Sequence, residues 1–187
     1  MDLLGHGTAA RPTDPAAYGE VDELVQRTLP DGPVDAVGFS AGAGILLQLA
    51  VDHPGRFRRL ALLGLGDNAF GGHDMSGAII AALEDRSGPE DVQGTLFRRL
   101  ADSAGNDPGA LVAFLGRPVR RLTESELTKV TCPVLVVLGD RDFVGGADRL
   151  VASLPDAKLV TLPGVDHFAT PSNFGAIDAV INFLEAP

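Results

Sequence analysis

Short apolar runs and longer stretches with helical spacing alternate along most of the chain. The short runs show no regular apolar–polar alternation, which is typical of strands covered on both faces in a parallel sheet. The four predicted strands are Val34–Phe39, Leu60–Leu65, Val134–Leu138 and Lys158–Leu162. The four helices predicted beside them are Val21–Leu29, Gly42–Asp52, Ala147–Leu154 and Phe174–Leu184. Alternating strands and helices predict an α/β fold with a parallel, doubly wound sheet.

The segment from Asp67 to Thr131 interrupts this alternation and is rich in Gly, Ser, Asp and Asn. Its amphipathic pieces are Ser76–Glu84, Glu90–Ala104 and Ala110–Leu115. The run Asn-Asp-Pro-Gly from Asn106 predicts a helix start. The residues from Thr123 to Glu126 fit a capping box, in which the two end residues satisfy each other's backbone N–H groups. We expect a small helical cap insertion over the carboxyl-terminal edge of the sheet; crossover helices joined by long loops are the alternative.

Composition narrows the class of protein. Of the 187 residues, 45% are apolar and 21% are charged, which are ordinary globular values. The net charge of −10 disfavours binding to nucleic acid or to an anionic membrane surface. No apolar run approaches the ~20 residues that span a bilayer, and the chain opens Met-Asp without a basic and apolar leader. We therefore expect a cytoplasmic protein.

The single cysteine, Cys132, has no partner for a disulfide within the chain, and no Cys/His set with metal-ligand spacing accompanies it. Since it stands before a proline at the start of an apolar run, we interpret it as a buried structural thiol. The sequence predicts neither a metal site nor a cofactor.

The pentapeptide Gly38-Phe-Ser-Ala-Gly42 stands where a predicted strand ends and a predicted helix begins. A serine in such a sharp turn takes a strained backbone conformation that lifts its hydroxyl clear of the sheet. The glycines two residues before and after Ser40 provide room for the turn. Ala41 would offer its backbone N–H at the helix N-terminus, where a developing oxyanion is stabilised. The pentapeptide alone is weak evidence, since glycine is common in this chain.

A serine hydroxyl becomes a nucleophile only when a base takes its proton and a carboxylate holds that base in place. Asp140 and Asp142 follow the predicted strand that begins at Val134, and His167 follows the last predicted strand. Catalytic groups in open α/β sheets collect beyond the carboxyl ends of the strands. The candidates thus occur in the order Ser, Asp, His, with either aspartate as the acid and Asp166 as a neighbour in the His167 loop.

Three segments resemble the α/β-hydrolase family. They are Gly38-Phe-Ser-Ala-Gly42, Cys132-Pro-Val-Leu-Val-Val-Leu-Gly-Asp-Arg-Asp142 and Gly164-Val-Asp-His167. Asp2-Leu-Leu-Gly-His-Gly7 is similar to the loop that precedes the nucleophile strand in that family. The resemblance implies Ser40 as nucleophile, His167 as general base and Asp142 as the orienting acid, because the family's acid usually stands three residues after the strand-end glycine.

The resemblance also implies a division of the chain. Residues 1–66 would be a partial core that lacks the family's N-terminal strands, residues 67–131 a helical cap, and residues 132–187 the rest of the core. The edge strand would then be completed by residues that precede this segment in a longer protein, which we favour, or by a second chain or a homo-oligomer; the third alternative is a shortened protein that has lost catalysis. Phe39, Phe143 and Phe168 adjoin the three triad positions, and we expect them to line an acyl pocket. His6, His53 and His73 are weaker candidates, with structural or solvated positions expected for them.

Two classes of function follow. The first is a serine hydrolase for a small ester, lactone or thioester, with a small-molecule acyl substrate. On the same triad the reaction could instead be C–C bond hydrolysis or cofactor-free haloperoxidase chemistry. The second class is a non-catalytic module that binds a partner through the open edge of the sheet. Conversion of p-nitrophenyl acetate that depends on Ser40 separates the two classes.

Overall fold

A parallel sheet of four strands is the centre of the fold in the computed structural model, which describes residues 2–71, 76–84, 92–103 and 105–186. The strands are β1 (Val34–Phe39), β2 (Phe57–Leu63), β3 (Val134–Gly139) and β4 (Ala157–Leu162). They lie side by side in the order of the sequence, and every neighbouring pair is parallel. The predicted fold class is confirmed. Because all strands run in one direction, the loops that follow them meet at one edge of the sheet.

Burial along the strands follows their places in the sheet. Every residue of β3, the all-apolar Val-Leu-Val-Val-Leu-Gly strand, is buried. The outer strands β1 and β4 are only partly buried, and Val37 of β1 is 49% exposed. Within the described residues β1 pairs with β2 alone. The expectation that a second chain or a second copy covers this edge stays a prediction.

Eight helices occur in the described ranges. They are α1 (Val21–Gln26), α2 (Ala41–Asp52), α3 (Ser76–Leu83), α4 (Val92–Ser103), α5 (Pro108–Leu115), α6 (Glu124–Leu127), α7 (Asp148–Ser153) and α8 (Phe174–Glu185). Short 3₁₀ turns lie at Pro15–Tyr18, Asp67–Phe70 and Thr170–Ser172. None of these helices is both long and apolar enough to cross a membrane.

Most element ends lie within one or two residues of their predicted positions, and the exceptions have local causes. Helix α1 ends at Gln26 rather than Leu29, because a residue that precedes a proline such as Pro30 disfavours the helical conformation. Strand β2 runs from Phe57 to Leu63, and it ends before the predicted Leu65 because Gly64 follows it at φ +63°, where a strand cannot continue. The capping box between Thr123 and Glu126 is confirmed in both directions.

The chain forms two compact units. The first comprises the described residues of 1–25 and 74–120. Ile79, Leu83 and Ala101 form its apolar cluster, which joins α3, α4 and α5. The buried Tyr18 donates its hydroxyl to the carbonyl of Pro12 and meets the ring of Phe114 edge-on.

The second unit comprises the described residues of 26–73 and 121–187 and contains the whole sheet. Helix α2 packs against β1 and β2, and α8 packs against β3 and β4. The core between α8 and the sheet includes Leu63, Val137, Leu162 and Val180. All residues predicted for catalysis lie in this unit. The three-part division of the chain stays a prediction.

Candidate active site

Ser40 occupies the sharp turn between β1 and α2. Its φ of 53° and ψ of −118° make it the one residue other than glycine with a positive φ in the described ranges. Such a conformation is strained, and it persists because the surrounding structure enforces it. The Ser40 N–H donates to the carbonyl of Leu63 at 2.8 Å, and its own carbonyl accepts from Gly44 in the first turn of α2. Ser40 is therefore fixed both to β2 and to the helix.

The two glycines that flank Ser40, Gly38 and Gly42, differ in the space available for a side chain. A Cβ on Gly38 would lie 2.8 Å from the Cα and N atoms of Ala43, so the turn closes only when this residue has no side chain. A Cβ on Gly42 would meet nothing within 4 Å outside its own helix. The sequence suggested that both positions require a small residue, whereas a steric contact explains Gly38 alone.

Asp142 lies in the turn after β3, and its side chain is buried. Its backbone N–H donates to the carbonyl of Gly139, and its Oδ1 accepts the N–H of Val144 at 3.0 Å. Asp140 is exposed and points to a different partner, since its Oδ1 accepts the N–H of Gly164 at 2.7 Å. Of the two candidates, only Asp142 contacts the histidine.

His167 follows β4 and is 2% exposed. Its Nδ1 lies 3.0 Å and 2.9 Å from the two carboxylate oxygens of Asp142, and its Nε2 lies 3.0 Å from the Oγ of Ser40. A carboxylate can only accept, so a proton on Nδ1 donates to Asp142. In the neutral ring Nε2 is then free to accept the hydroxyl proton of Ser40. The structure thus brings together three side chains that sequence reasoning had selected.

A close approach between two loops holds this arrangement. The N–H of Arg141 donates to the carbonyl of Val165 at 3.1 Å, which joins the Asp142 turn to the His167 loop. A Cβ on Gly139 would lie 2.0 Å from that same carbonyl oxygen. From the sequence, Gly139 served only as the strand-end glycine from which the position of the acid was counted. The structure shows that residue 139 cannot carry a side chain, because Val165 of a loop 26 residues further along the chain lies against it. The local sequence does not reveal this contact.

Three phenylalanine rings surround the imidazole of His167. The ring centroids of Phe143 and Phe39 lie 4.4 Å and 4.8 Å from it, both tilted by about 40° or less. Phe168 meets it edge-on at 6.0 Å and lies 6.2 Å from Phe143. All three phenyl rings are partly exposed. Whether they line an acyl pocket, as the sequence suggested, stays a prediction; their contact with the imidazole was not foreseen.

The remaining candidates lie in structural contacts or outside the described residues. The Nδ1–H of His6 donates to the carbonyl of Leu4, and its ring meets Phe114 edge-on. His53 ends helix α2, where its backbone N–H donates to the carbonyl of Leu49. Asp166 accepts the N–H of Ala169 within the His167 loop. His73 lies outside the described residues.

Within the described ranges, no group of three or more His, Cys, Asp or Glu side chains is arranged to hold a metal ion. Burial raises the pKa of the Cys132 thiol above its usual value, and this cysteine is 7% exposed. Such a thiol is a poor nucleophile near neutral pH, because the thiolate is the reactive form.

Comparison with known proteins gives matches over nearly the whole chain. The sequence model of the "Alpha/beta hydrolase family" matches residues 1–177. A pimeloyl-[acyl-carrier protein] methyl ester esterase of Neisseria meningitidis serogroup B is 32% identical over 216 aligned residues, which cover 99% of this chain and 81% of that protein. A 2-hydroxymuconate semialdehyde hydrolase of Pseudomonas sp. strain CF600 is 43% identical over 74 residues, 37% of this chain and 26% of that protein.

A solved structure is similar to this chain in fold. The crystal structure of an alpha/beta hydrolase enzyme from a Medee basin deep-sea metagenome library superimposes with a TM-score of 0.80. The match covers 100% of this chain and 78% of that chain, at 16% sequence identity. At this level of identity the likeness is one of fold.

Proposed function

The chain belongs to the alpha/beta hydrolase family of enzymes, and from this premise we propose that it is a serine hydrolase that cleaves a small carboxylic ester. In this proposal Ser40 is the nucleophile, His167 the general base and Asp142 the acid that orients it. One observation carries the proposal. The buried Asp142 carboxylate, the imidazole and the Ser40 hydroxyl form a continuous hydrogen-bonded chain, with 3.0 Å between Nε2 and Oγ.

The proposed reaction has two halves. In the first, the Ser40 proton moves to Nε2 while Oγ attacks the ester carbonyl, and Asp142 stabilises the resulting imidazolium. Nε2–H then protonates the leaving alkoxide, so that an alcohol departs and an acyl group stays on Ser40. In the second half water gives a proton to Nε2 while its oxygen attacks the acyl carbon. The bond from that carbon to Oγ then breaks, and Nε2–H returns the proton to Oγ, so that the carboxylic acid departs and the Ser40 hydroxyl is restored. The chemistry needs no metal and no organic cofactor.

The negative charge that develops on the ester oxygen needs hydrogen-bond donors. Ala41 is the first residue of the 12-residue helix α2, so its N–H has no acceptor within the helix. The N-terminus of a helix also carries partial positive charge. These features support the Ala41 N–H as a donor to the oxyanion. Loss of one such donor typically lowers the rate by about 10²–10³-fold.

The substrate is an ester of modest size in this proposal. The partly exposed rings of Phe39, Phe143 and Phe168 beside His167 support an apolar lining for its acyl group. The 32% identical relative is a methyl ester esterase by name, which supports an ester with a small alcohol. Lactones and thioesters react through the same steps and belong to the same proposal.

Hydrolysis of p-nitrophenyl acetate by the wild type, Ser40→Ala and Ser125→Ala tests the proposal. We expect the first variant to lose kcat/KM by about 10⁴-fold or more, since little triad catalysis survives without the nucleophile. Ser125 is an exposed serine of α6 and serves as the matched control, with wild-type activity expected. A fluorophosphonate probe should label the wild type and the control alone. Wild-type protein with neither turnover nor labelling would overturn the proposal.

Hydrolysis of a C–C bond beside a carbonyl is the second candidate. It is favoured by the local 43% identity to a 2-hydroxymuconate semialdehyde hydrolase. Parallel assays with 2-hydroxymuconate semialdehyde and with a methyl ester separate the two. A kcat/KM for the semialdehyde far above that for the ester would favour C–C hydrolysis as the reaction.

A further inference from the structure

The imidazole of His167 is held by close contacts with several side chains. Phe143 covers one side at a centroid distance of 4.4 Å, and Phe39 lies on another at 4.8 Å. Asp142 holds Nδ1 and Ser40 meets Nε2. A ring held through both nitrogens and packed by two phenyl groups has little freedom to rotate, so any further contact changes its hydrogen bonds.

Gly64 lies beside the same imidazole. It follows β2 at φ +63°, and its N–H donates to the carbonyl of Val137 at 3.0 Å, which fixes its backbone. A Cβ at this position would lie 3.0 Å from Cε1 and 3.2 Å from Nδ1 of His167. It would also lie 2.7 Å from Cε2 of Phe39. Contacts this short force a neighbour to move.

We propose that Gly64 is a positioning residue, whose missing side chain leaves the space in which the His167 imidazole meets both Ser40 and Asp142. The inference rests on the proposed triad. A methyl group at residue 64 displaces the ring by several tenths of an ångström or more, which alters the distance from Nε2 to the nucleophile or from Nδ1 to the acid. Such small misplacements are costly, because catalysis depends on near-attack geometry.

Gly64→Ala and the matched control Gly55→Ala test this inference. Gly55 also has a positive φ, of 83°, but a Cβ there would meet nothing within 4 Å. Both variants therefore strain the backbone, and only Gly64→Ala adds a contact to the imidazole. We expect Gly64→Ala to lower kcat by about 10- to 100-fold with a much smaller change in KM. Gly55→Ala should keep the wild-type kcat. Equal kcat values for the two variants overturn the inference.

A spectroscopic measurement gives an answer that does not need turnover. Long-range ¹H–¹⁵N correlation spectra report the ring nitrogens of His167 directly. Gly64→Ala should shift both ring nitrogen resonances, and Gly55→Ala should leave them unchanged. Unchanged resonances in Gly64→Ala contradict the inference even if the wild type shows no esterase activity. Wild type without Ser40-dependent turnover contradicts the proposed function instead, so the two failures are distinguishable.

The double variant Gly64→Ala/Phe39→Leu covers the case in which Gly64→Ala does not fold. Leucine lacks the ring atom that lies 2.7 Å from the added Cβ, whereas the contact with His167 remains. Its reference is Phe39→Leu alone. We expect the double variant to fold and to have a kcat about 10-fold or more below the reference. A kcat equal to that of Phe39→Leu would show that the methyl group does not disturb the imidazole.

Discussion

Replacing Asp142 with asparagine removes the charge beside the imidazole while keeping the shape of the side chain. In the structure Oδ1 accepts the Val144 N–H, so asparagine would keep its carbonyl oxygen there and present its NH₂ group at the position of Oδ2, 2.9 Å from Nδ1. An NH₂ group donates, so it competes with the carbonyl oxygen, which also lies 3.0 Å from Nδ1, and it favours a ring whose proton is on Nε2. A ring with its proton on Nε2 cannot accept the Ser40 proton. A ring with its proton on Nδ1 can accept it, but the imidazolium that forms lacks the stabilising negative charge.

The size of the effect follows from burial. The side chains of His167 and Asp142 are 2% and 0% exposed, so water cannot take the place of the lost carboxylate. We expect Asp142→Asn to lower kcat by about 10⁴-fold, or roughly 5.5 kcal/mol in activation free energy. The assay is kcat and KM on p-nitrophenyl acetate at pH 8, with circular dichroism as a check on folding.

Asp140→Asn is the matched control, because Asp140 is exposed and accepts only the N–H of Gly164 among the contacts the structure gives it. We expect its kcat to stay within a few-fold of the wild type, since its carbonyl oxygen can still accept that N–H. A larger loss in Asp140→Asn than in Asp142→Asn would refute the reasoning and assign the orienting role to the other aspartate.

Two further predictions concern the folded protein. Gly38→Ala should lower the free energy of unfolding by about 1–3 kcal/mol and Tm by roughly 3–10 °C, because the added Cβ would lie 2.8 Å from backbone atoms of α2. Gly42→Ala is the control, since a Cβ there meets open space. Equal Tm values for the two variants would contradict the steric explanation. Cys132 should react with a disulfide reagent at pH 8 much more slowly in the folded protein than in guanidinium, because burial raises the pKa of its thiol and limits access. Similar rates in the two states would show that this thiol is not buried.

The sequence predicted the strands well, because their cause is local. An unbroken apolar run such as β3 can be satisfied only when both faces of the strand are covered, and the structure buries all of it. Helix ends and caps follow local chemistry too, as the capping box at Thr123 demonstrates. Element ends moved where a single residue intervened, as Pro30 did after α1 and Gly64 did after β2.

The residues of the candidate site could be predicted from local sequence only in part. Ser40 could be selected because the turn that exposes it needs a glycine nearby, and Gly38 stands only two residues before it in the sequence. Its partners follow other strands, and His167 is 127 residues away. Sequence reasoning placed them at the correct edge, because parallel strands end together. Their catalytic roles stay proposals.

By itself, then, the sequence determined the alternation of strands and helices, the strained turn at Ser40 and the edge at which the candidate residues collect. Only the tertiary structure showed that Asp142 and not Asp140 contacts the imidazole, placed the tilted rings of Phe39 and Phe143 beside it, and made Gly64 and Gly139 sites of close approach. The reason is physical. Backbone conformation and burial preference are set by near neighbours, whereas a distance between two side chains is set by the sheet register and the loops that join distant segments.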